Sequence, residues 1–255
     1  MVSNRFSLEG RTALVTGGAR GCGLAFAEGL AEAGADVAIF DIIPPSDEFH
    51  TISKKYKVRT GHFLVDVSNE ESLKKGYQEF SEAFGDKLDI CVPCAGINKH
   101  VPFLEYKFED LHHLLSVNVV GAFMTAQLAA KQMIRNETKK GSIVMVASIA
   151  SYMAIRTQMS SGYCSTKGGV RAMVSAIAKE LVPYGIRINS VSPGYVQTAM
   201  TECFPDLLEG WKDEIMNGRV AMPDDIMGAC VFLASDASSY MTGHDIPVDG
   251  GVLKW

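Results

Sequence analysis

Short apolar runs separated by longer segments of helical periodicity are the first regularity of this chain. The runs fall at 12–16, 36–40, 61–65, 88–92, 142–147, 186–191 and 244–248. Each has the length of a buried strand, and the segments between them repeat apolar residues at helical spacing. Strand and helix in alternation predict a parallel sheet, because parallel neighbours need crossover connections, which are overwhelmingly right-handed. The expected fold is α/β: a doubly wound parallel sheet of about seven strands with helices on both faces. One domain over 1–255 suffices, since no repeat, low-complexity tract or linker interrupts the pattern, and Pro44-Pro45-Ser46 reads as a turn before a helix. In open sheets of this kind ligands bind in the crevice beyond the carboxyl ends of the strands.

Two segments give that crevice its chemistry. The strand Arg11-Thr-Ala-Leu-Val-Thr16 runs directly into Gly17-Gly18-Ala19-Arg20-Gly21-Cys22-Gly23 and an Ala/Leu-rich helix. Glycines at 17, 21 and 23 allow a tight turn, close approach of backbone amides to a pyrophosphate, and close packing of helix on sheet. The helix N-terminus then faces the phosphates. The spacing is not Gly-x-Gly-x-x-Gly, so a search for that pattern alone misses it. Asp41 ends the second apolar run, 18 residues after Gly23, where an acid accepts both hydroxyls of an adenosine ribose. The second segment is Tyr163-Cys164-Ser165-Thr166-Lys167. On a helix it sets a phenol and an ammonium on one face. A tyrosine ionises near pH ~10, and a lysine charge in a partly desolvated cleft favours the phenolate. A lowered Tyr163 titration, and proton exchange with an alcohol oxygen, are therefore expected.

Composition narrows the picture. With 255 residues, 47% apolar, and a net charge of −5, the chain suits one globular core and offers no basic surplus for nucleic acid or anionic membrane. Met1-Val-Ser-Asn-Arg-Phe6 has no apolar core of signal-peptide length. No segment approaches the roughly 18 apolar residues that span a bilayer, so a soluble cytoplasmic protein is expected. Cys91 and Cys94, among six cysteines, have the spacing of a redox or zinc half-site. Residues three apart on a strand face opposite ways, however, and no second pair or histidine cluster completes four ligands. They read as packing thiols, with no metal. Cys22 and Cys164 lie beside the two motifs, where oxidation or alkylation would block cofactor entry.

Taken in order, these residues resemble the short-chain dehydrogenase/reductase family over nearly the whole chain. Thr16 to Gly23 matches its cofactor turn, Asp66-Val67 its adenine contact, and Cys94-Ala95-Gly96 the end of its central strand. Asn118, Ser148, Tyr163 and Lys167 match its catalytic tetrad; Pro193-Gly194, with Val196 and Thr198 beyond, matches its nicotinamide-side loop, and Val248-Asp-Gly-Gly251 its last strand. Pro93-Cys94 departs from the two asparagines usual there, and so lacks an amide that commonly braces the central strand. The resemblance implies a single-domain Rossmann fold, mostly assembled as homotetramers, that exchanges hydride between a nicotinamide and an alcohol or ketone. Tyr163 would exchange the proton and Ser148 would bond the same oxygen. Lys167 would hold the nicotinamide ribose and favour ionised Tyr163, and Asn118 would position water. Ser148 alternatively caps a turn, and Ser151 competes for its role.

Asp41 points to NAD(H) as the preferred cofactor, whereas Arg20 keeps NADP(H) open. The glycine turn, the stretch after Asp41 and a long Ser148-to-Tyr163 interval look like the family's polyol dehydrogenases known from fungi, which implies a polyol/ketose pair. Met153, Arg156, Gln158 and Met159 would form an enlarged substrate loop. A secondary-metabolite ketone reductase is the alternative, with Met153, Met159, Tyr195, Met200, Phe204 and Trp211 as an apolar pocket. A dinucleotide-sensing protein without turnover is the third reading.

Overall fold

The computed structural model describes residues 2–198 and 205–254, with the backbone alone at 205–207. Seven strands form one parallel sheet: β1 Thr12–Thr16, β2 Asp36–Asp41, β3 Thr60–Leu64, β4 Ile90–Pro93, β5 Ser142–Val146, β6 Arg187–Pro193 and β7 Asp245–Val248. Each lies within two residues of a run expected from the sequence. Their spatial order is β3-β2-β1-β4-β5-β6-β7. The chain therefore builds from β1 to one edge, returns to the middle, and builds to the other edge. Connections leave β1 and β4 in opposite directions, which opens a crevice at their carboxyl ends.

The helices are α1 Gly21–Glu32, α2 Asp47–Tyr56, α3 Glu70–Phe84, α4 Phe108–Leu115, α5 Ala122–Arg135, α6 Ser161–Leu181, α7 Pro205–Lys212 and α8 Pro223–Ala234. Strand side chains alternate between two layers. Leu14, Ala38, Phe40, Cys91, Ile143 and Met145 meet α3, α5 and α6. Val15, Val37, Ile39, Val92 and Val144 meet α1 and α8. Burying each large aliphatic side chain contributes ~1.5–3 kcal/mol, so both layers hold the sheet. A third cluster, with Ile149, Ile155, Tyr195, Trp211 and Ile215, lies beyond the sheet.

The departure at Pro93-Cys94 has a local consequence. Proline brings no N–H to the ladder, and β4 pairs with β5 only as far as Cys91↔Ile143, although it pairs with β1 through Thr16↔Pro93. The strand end is braced instead by the Thr16 hydroxyl, which accepts from the N–H groups of Cys94 and Ala95, each at 3.1 Å. Cys91 and Cys94 lie in opposite layers, and the described cysteines are free thiols.

One expectation changes. From Phe108 to Arg135 the chain is helical for 28 residues, with a window of mean hydropathy 1.3, long and apolar enough by length and composition to cross a membrane. Sequence runs concealed this because polar residues interrupt them. Asn118, Thr125 and Gln132 are buried against the domain, whereas Val120 and Phe123 face outward. The segment is a domain helix packed on β4 and α6, with a π-helical turn at Ser116–Gly121.

Candidate active site

The glycine turn is shaped by steric necessity at two places. Gly17 has φ +68°, and a Cβ there would stand 2.8 Å from the Ala95 Cα. A Cβ on Gly23 would collide with the Gly17 carbonyl oxygen. The turn consequently lies flat on the end of β4, and α1 starts directly behind it. No side chain caps that helix start, which leaves its first amides to serve an anion. Across from the turn, Asp41 is held by backbone donors: Oδ2 accepts from Ala19 N–H at 3.0 Å and Oδ1 from Ile43 N–H at 3.3 Å.

These groups border a cavity of about 410 Å³. Every residue assigned to the cofactor from the sequence lines it, from the glycine turn through Asp41, Asp66-Val67 and Cys94-Ala95-Gly96 to Pro193-Gly194, Val196 and Thr198. A cradle that Cβ atoms would fill, a capless helix start and a fixed acid opposite fit a dinucleotide. Cys22 lines it too, but burial raises its thiol to about 11, which lessens its reactivity.

Ser148, Tyr163 and Lys167 line the same cavity. Helix α6 carries the last two one turn apart, and the Lys167 Nζ stands 5.7 Å from the Tyr163 ring centroid. Lys167 is buried and donates to the Val146 carbonyl at 2.8 Å. Burial lowers its titration, opposed by the Cys94 and Cys22 thiols. The Tyr163 phenol shifts upward, contrary to the expectation from Lys167: burial dominates, and only a hydrogen bond with Ser148 works against it. The phenol is thus held in its acid form at neutral pH.

Ser148 both caps and faces the cavity. Its Oγ accepts from Ala150 N–H at 3.1 Å, starting a short 3₁₀ turn at Ile149–Ser151. Ser151 turns away, its hydroxyl donating to the Ser148 carbonyl at 2.7 Å, and it does not line the cavity. Asn118, expected to position water, does not itself line the cavity. It is 1% exposed, and its amide is spent on Ile97, whose N–H and carbonyl it meets at 2.8 Å each, and on Thr166 Oγ1 at 3.1 Å. Its side chain therefore braces the loop after β4 against α6 rather than facing a substrate.

The substrate loop is only partly as expected. Ile155 and Gln158 line the cavity, whereas Met153 packs beneath it and Arg156 does not line it. Met159 is 65% exposed. Tyr195 and Trp211 do form a wall, stacked 4.6 Å apart with 13° between their planes. Their polar edges point into the protein: Tyr195 OH donates to Glu214 at 2.6 Å, and Trp211 Nε1 donates to Thr157 at 3.0 Å. Met200 and Phe204 lie outside the described residues. The sequence reading missed the Val146 carbonyl, which carries no sequence signal, and the lining residues Asn98, His100 and His113. Asn98 and His100 follow Gly96 closely in sequence, and the return of that loop over the cleft brings them into the lining.

A family model described as enoyl-(acyl carrier protein) reductase matches residues 17–253. The chain is 35% identical over 254 residues to sorbose reductase sou1 of Schizosaccharomyces pombe, covering 98% of both proteins. It is 33% identical over 249 residues to the 3-oxoacyl-[acyl-carrier-protein] reductase FabG of Aquifex aeolicus, covering 96% of this chain and 98% of that protein. The crystal structure of a gluconate 5-dehydrogenase from Burkholderia cenocepacia, in complex with NADP and tartrate, superposes with a TM-score of 0.90 at 32% identity over 100% of both chains.

Proposed function

Because this chain belongs to the short-chain dehydrogenase/reductase family and is an oxidoreductase acting on alcohol and ketone groups, we propose that it interconverts an uncharged polyol and its ketose. The carrying observation is the charge of the substrate end. Among the described lining residues the lysine and arginine side chains are Lys167, assigned to the nicotinamide ribose, and Arg20, in the glycine turn. The intervening sequence 199–204, Ala-Met-Thr-Glu-Cys-Phe, adds none. A sugar acid or a phosphopantetheine-linked acyl group would find no fixed cation there, whereas Asn98, His100 and Gln158 offer neutral hydrogen-bonding groups to hydroxyls.

A bound dinucleotide supplies or accepts the hydride. Tyr163 donates the proton to the developing alkoxide in reduction and takes it back in oxidation, with Ser148 bonding the same oxygen. Lys167 holds the nicotinamide ribose. Asp41 favours NAD(H), since its carboxylate would face a 2′-phosphate with like charge; a charge-assisted bond of this type is worth about 1.5–3 kcal/mol. Arg20 is the counterweight for NADP(H). Apolar side chains exposed on the 108–135 helix, such as Val120 and Phe123, support a homotetramer, and free thiols suit the cytoplasm.

A ketone reductase of secondary metabolism is the second reading, favoured by the Tyr195–Trp211 wall, whose polar edges are already satisfied. Steady-state turnover over neutral polyols and ketoses, aldonates, acyl thioesters and bulky apolar ketones, with each dinucleotide, decides between them. Highest kcat/KM on a neutral polyol or ketose with NAD(H) is expected. Best turnover on an aldonate or thioester overturns the substrate assignment, and equal efficiency with both dinucleotides overturns the preference attributed to Asp41.

A further inference from the structure

A string of side chains outside the cleft runs from the last strand to the turn that carries Ser148. Asp245 opens β7, and its Oδ1 accepts from the hydroxyls of Ser190 at 2.5 Å and Ser192 at 2.9 Å. Its Oδ2 accepts from the Tyr152 hydroxyl at 2.6 Å. The Arg171 guanidinium covers the Tyr152 ring, 4.1 Å from its centroid, and Arg171 Nη2 donates to the Ser151 carbonyl at 3.4 Å. Ser151 in turn gives its N–H, at 2.9 Å, and its hydroxyl, at 2.7 Å, to the Ser148 carbonyl.

Tyr152, Arg171 and Asp245 do not line the cavity, so their arrangement is not explained by contact with substrate or dinucleotide. The turn that they reach needs support. A single 3₁₀ turn has poor hydrogen-bond geometry of its own, and this one is tied to three separate elements: β6, β7 and α6. The same two strands set the opposite wall, because Gly194 packs so closely after β6 that a Cβ there would stand 2.7 Å from the Asp249 Cα. One platform thereby gauges the distance between the Ser148 turn and the Pro193-Gly194 loop.

We infer that Tyr152, clamped between Asp245 and Arg171, is a positioning residue that holds the Ser148 hydroxyl at the reacting oxygen. The inference rests on the proposed role of Ser148. Its test is a double-mutant cycle on the best substrate of the panel, with kcat, KM and NADH affinity measured by fluorescence titration. Tyr152→Phe keeps the ring beneath Arg171 and deletes the bond to Asp245. It is expected to lower kcat about tenfold while NADH affinity stays within about twofold. In a Ser148→Ala background the same change should lower kcat by less than about twofold, because its route of action is already gone. Asp245→Asn keeps an acceptor and should recover most of the turnover lost in Asp245→Ala, a comparison that reads the clamp even where Tyr152→Phe folds poorly. Equal losses in both Ser148 backgrounds, unchanged kcat in Tyr152→Phe, or equal turnover of the two Asp245 variants overturns the clamp alone. Native turnover in Ser148→Ala overturns the role of Ser148 and the clamp with it.

Discussion

The two ends of the cleft are built by different means. At the dinucleotide end the walls are backbone: a turn pressed on Ala95, a helix start without a side-chain cap, and an aspartate held by two amide donors. At the substrate end they are side chains, with Tyr195 stacked on Trp211 and each tethered by its polar edge to another segment. A backbone wall tolerates few substitutions because its shape depends on the absence of side-chain atoms. A side-chain wall changes with every substitution, and this allows one fold to serve many substrates.

Tyr163 stands where the two ends meet, and its loss should be the largest effect. Tyr163→Phe keeps the ring and removes the acid, so turnover should fall by about 10²–10⁴ with dinucleotide affinity largely kept. Near-native turnover on the true substrate would remove Tyr163 from its assigned place. The pH dependence follows from the direction of its shift. Burial raises the phenol above its ordinary value of 10.0, so the acid form persists through neutral pH and reduction should be flat there, declining only in the alkaline range. Oxidation needs the phenolate, and it should climb over that same range. Profiles that run parallel in the two directions, with product release excluded as the limiting step, break this assignment.

Gly23→Ala probes the backbone-built end. The added methyl would meet the Gly17 carbonyl oxygen, a rigid partner that cannot swing aside. The expected result is dinucleotide affinity weakened by at least about tenfold, with overpacking costing roughly 1–3 kcal/mol in thermal or denaturant unfolding. Native affinity in a titration would mean that the turn is less constrained than its contacts indicate. Trp211→Phe probes the other end and should have the smallest effect. It retains a ring against Tyr195 and loses the bond to Thr157, about 1 kcal/mol of stability, with the change in activity carried by KM rather than kcat. A fall in kcat at constant KM would show that the aromatic wall acts on the reacting centre, erasing the contrast between the two ends.

The same contrast governs how much of the molecule was legible. Strand positions and the glycine turn are local: apolar runs and the need for missing Cβ atoms leave marks in consecutive residues, so all seven strands and the glycine turn followed from the pattern, whereas Asp66-Val67, Cys94-Ala95-Gly96 and Pro193-Gly194 came from the family resemblance. The Tyr163–Lys167 pair was legible for the same reason, one helical turn being a local distance. Its titration was not, because desolvation depends on everything packed around the phenol, and the lysine charge turned out to be directed at the Val146 carbonyl. Asn118 was found by its place in a motif, yet the direction of its amide was decided by Ile97 and Thr166, the latter 48 residues away in sequence.

The amino-acid order by itself determined the α/β rhythm, the crevice at the strand ends and the glycine turn beside it, because each rests on period, sterics or spacing within a few residues. Tertiary structure alone decided which serine faces the cleft, how the strand end at Pro93-Cys94 is braced by Thr16, which of the candidate apolar residues line the cavity, and that an apolar helix at 108–135 buries Asn118, Thr125 and Gln132 against the domain. Each of those outcomes depends on contacts between segments far apart in the chain, whose geometry exists only after the sheet has brought them together.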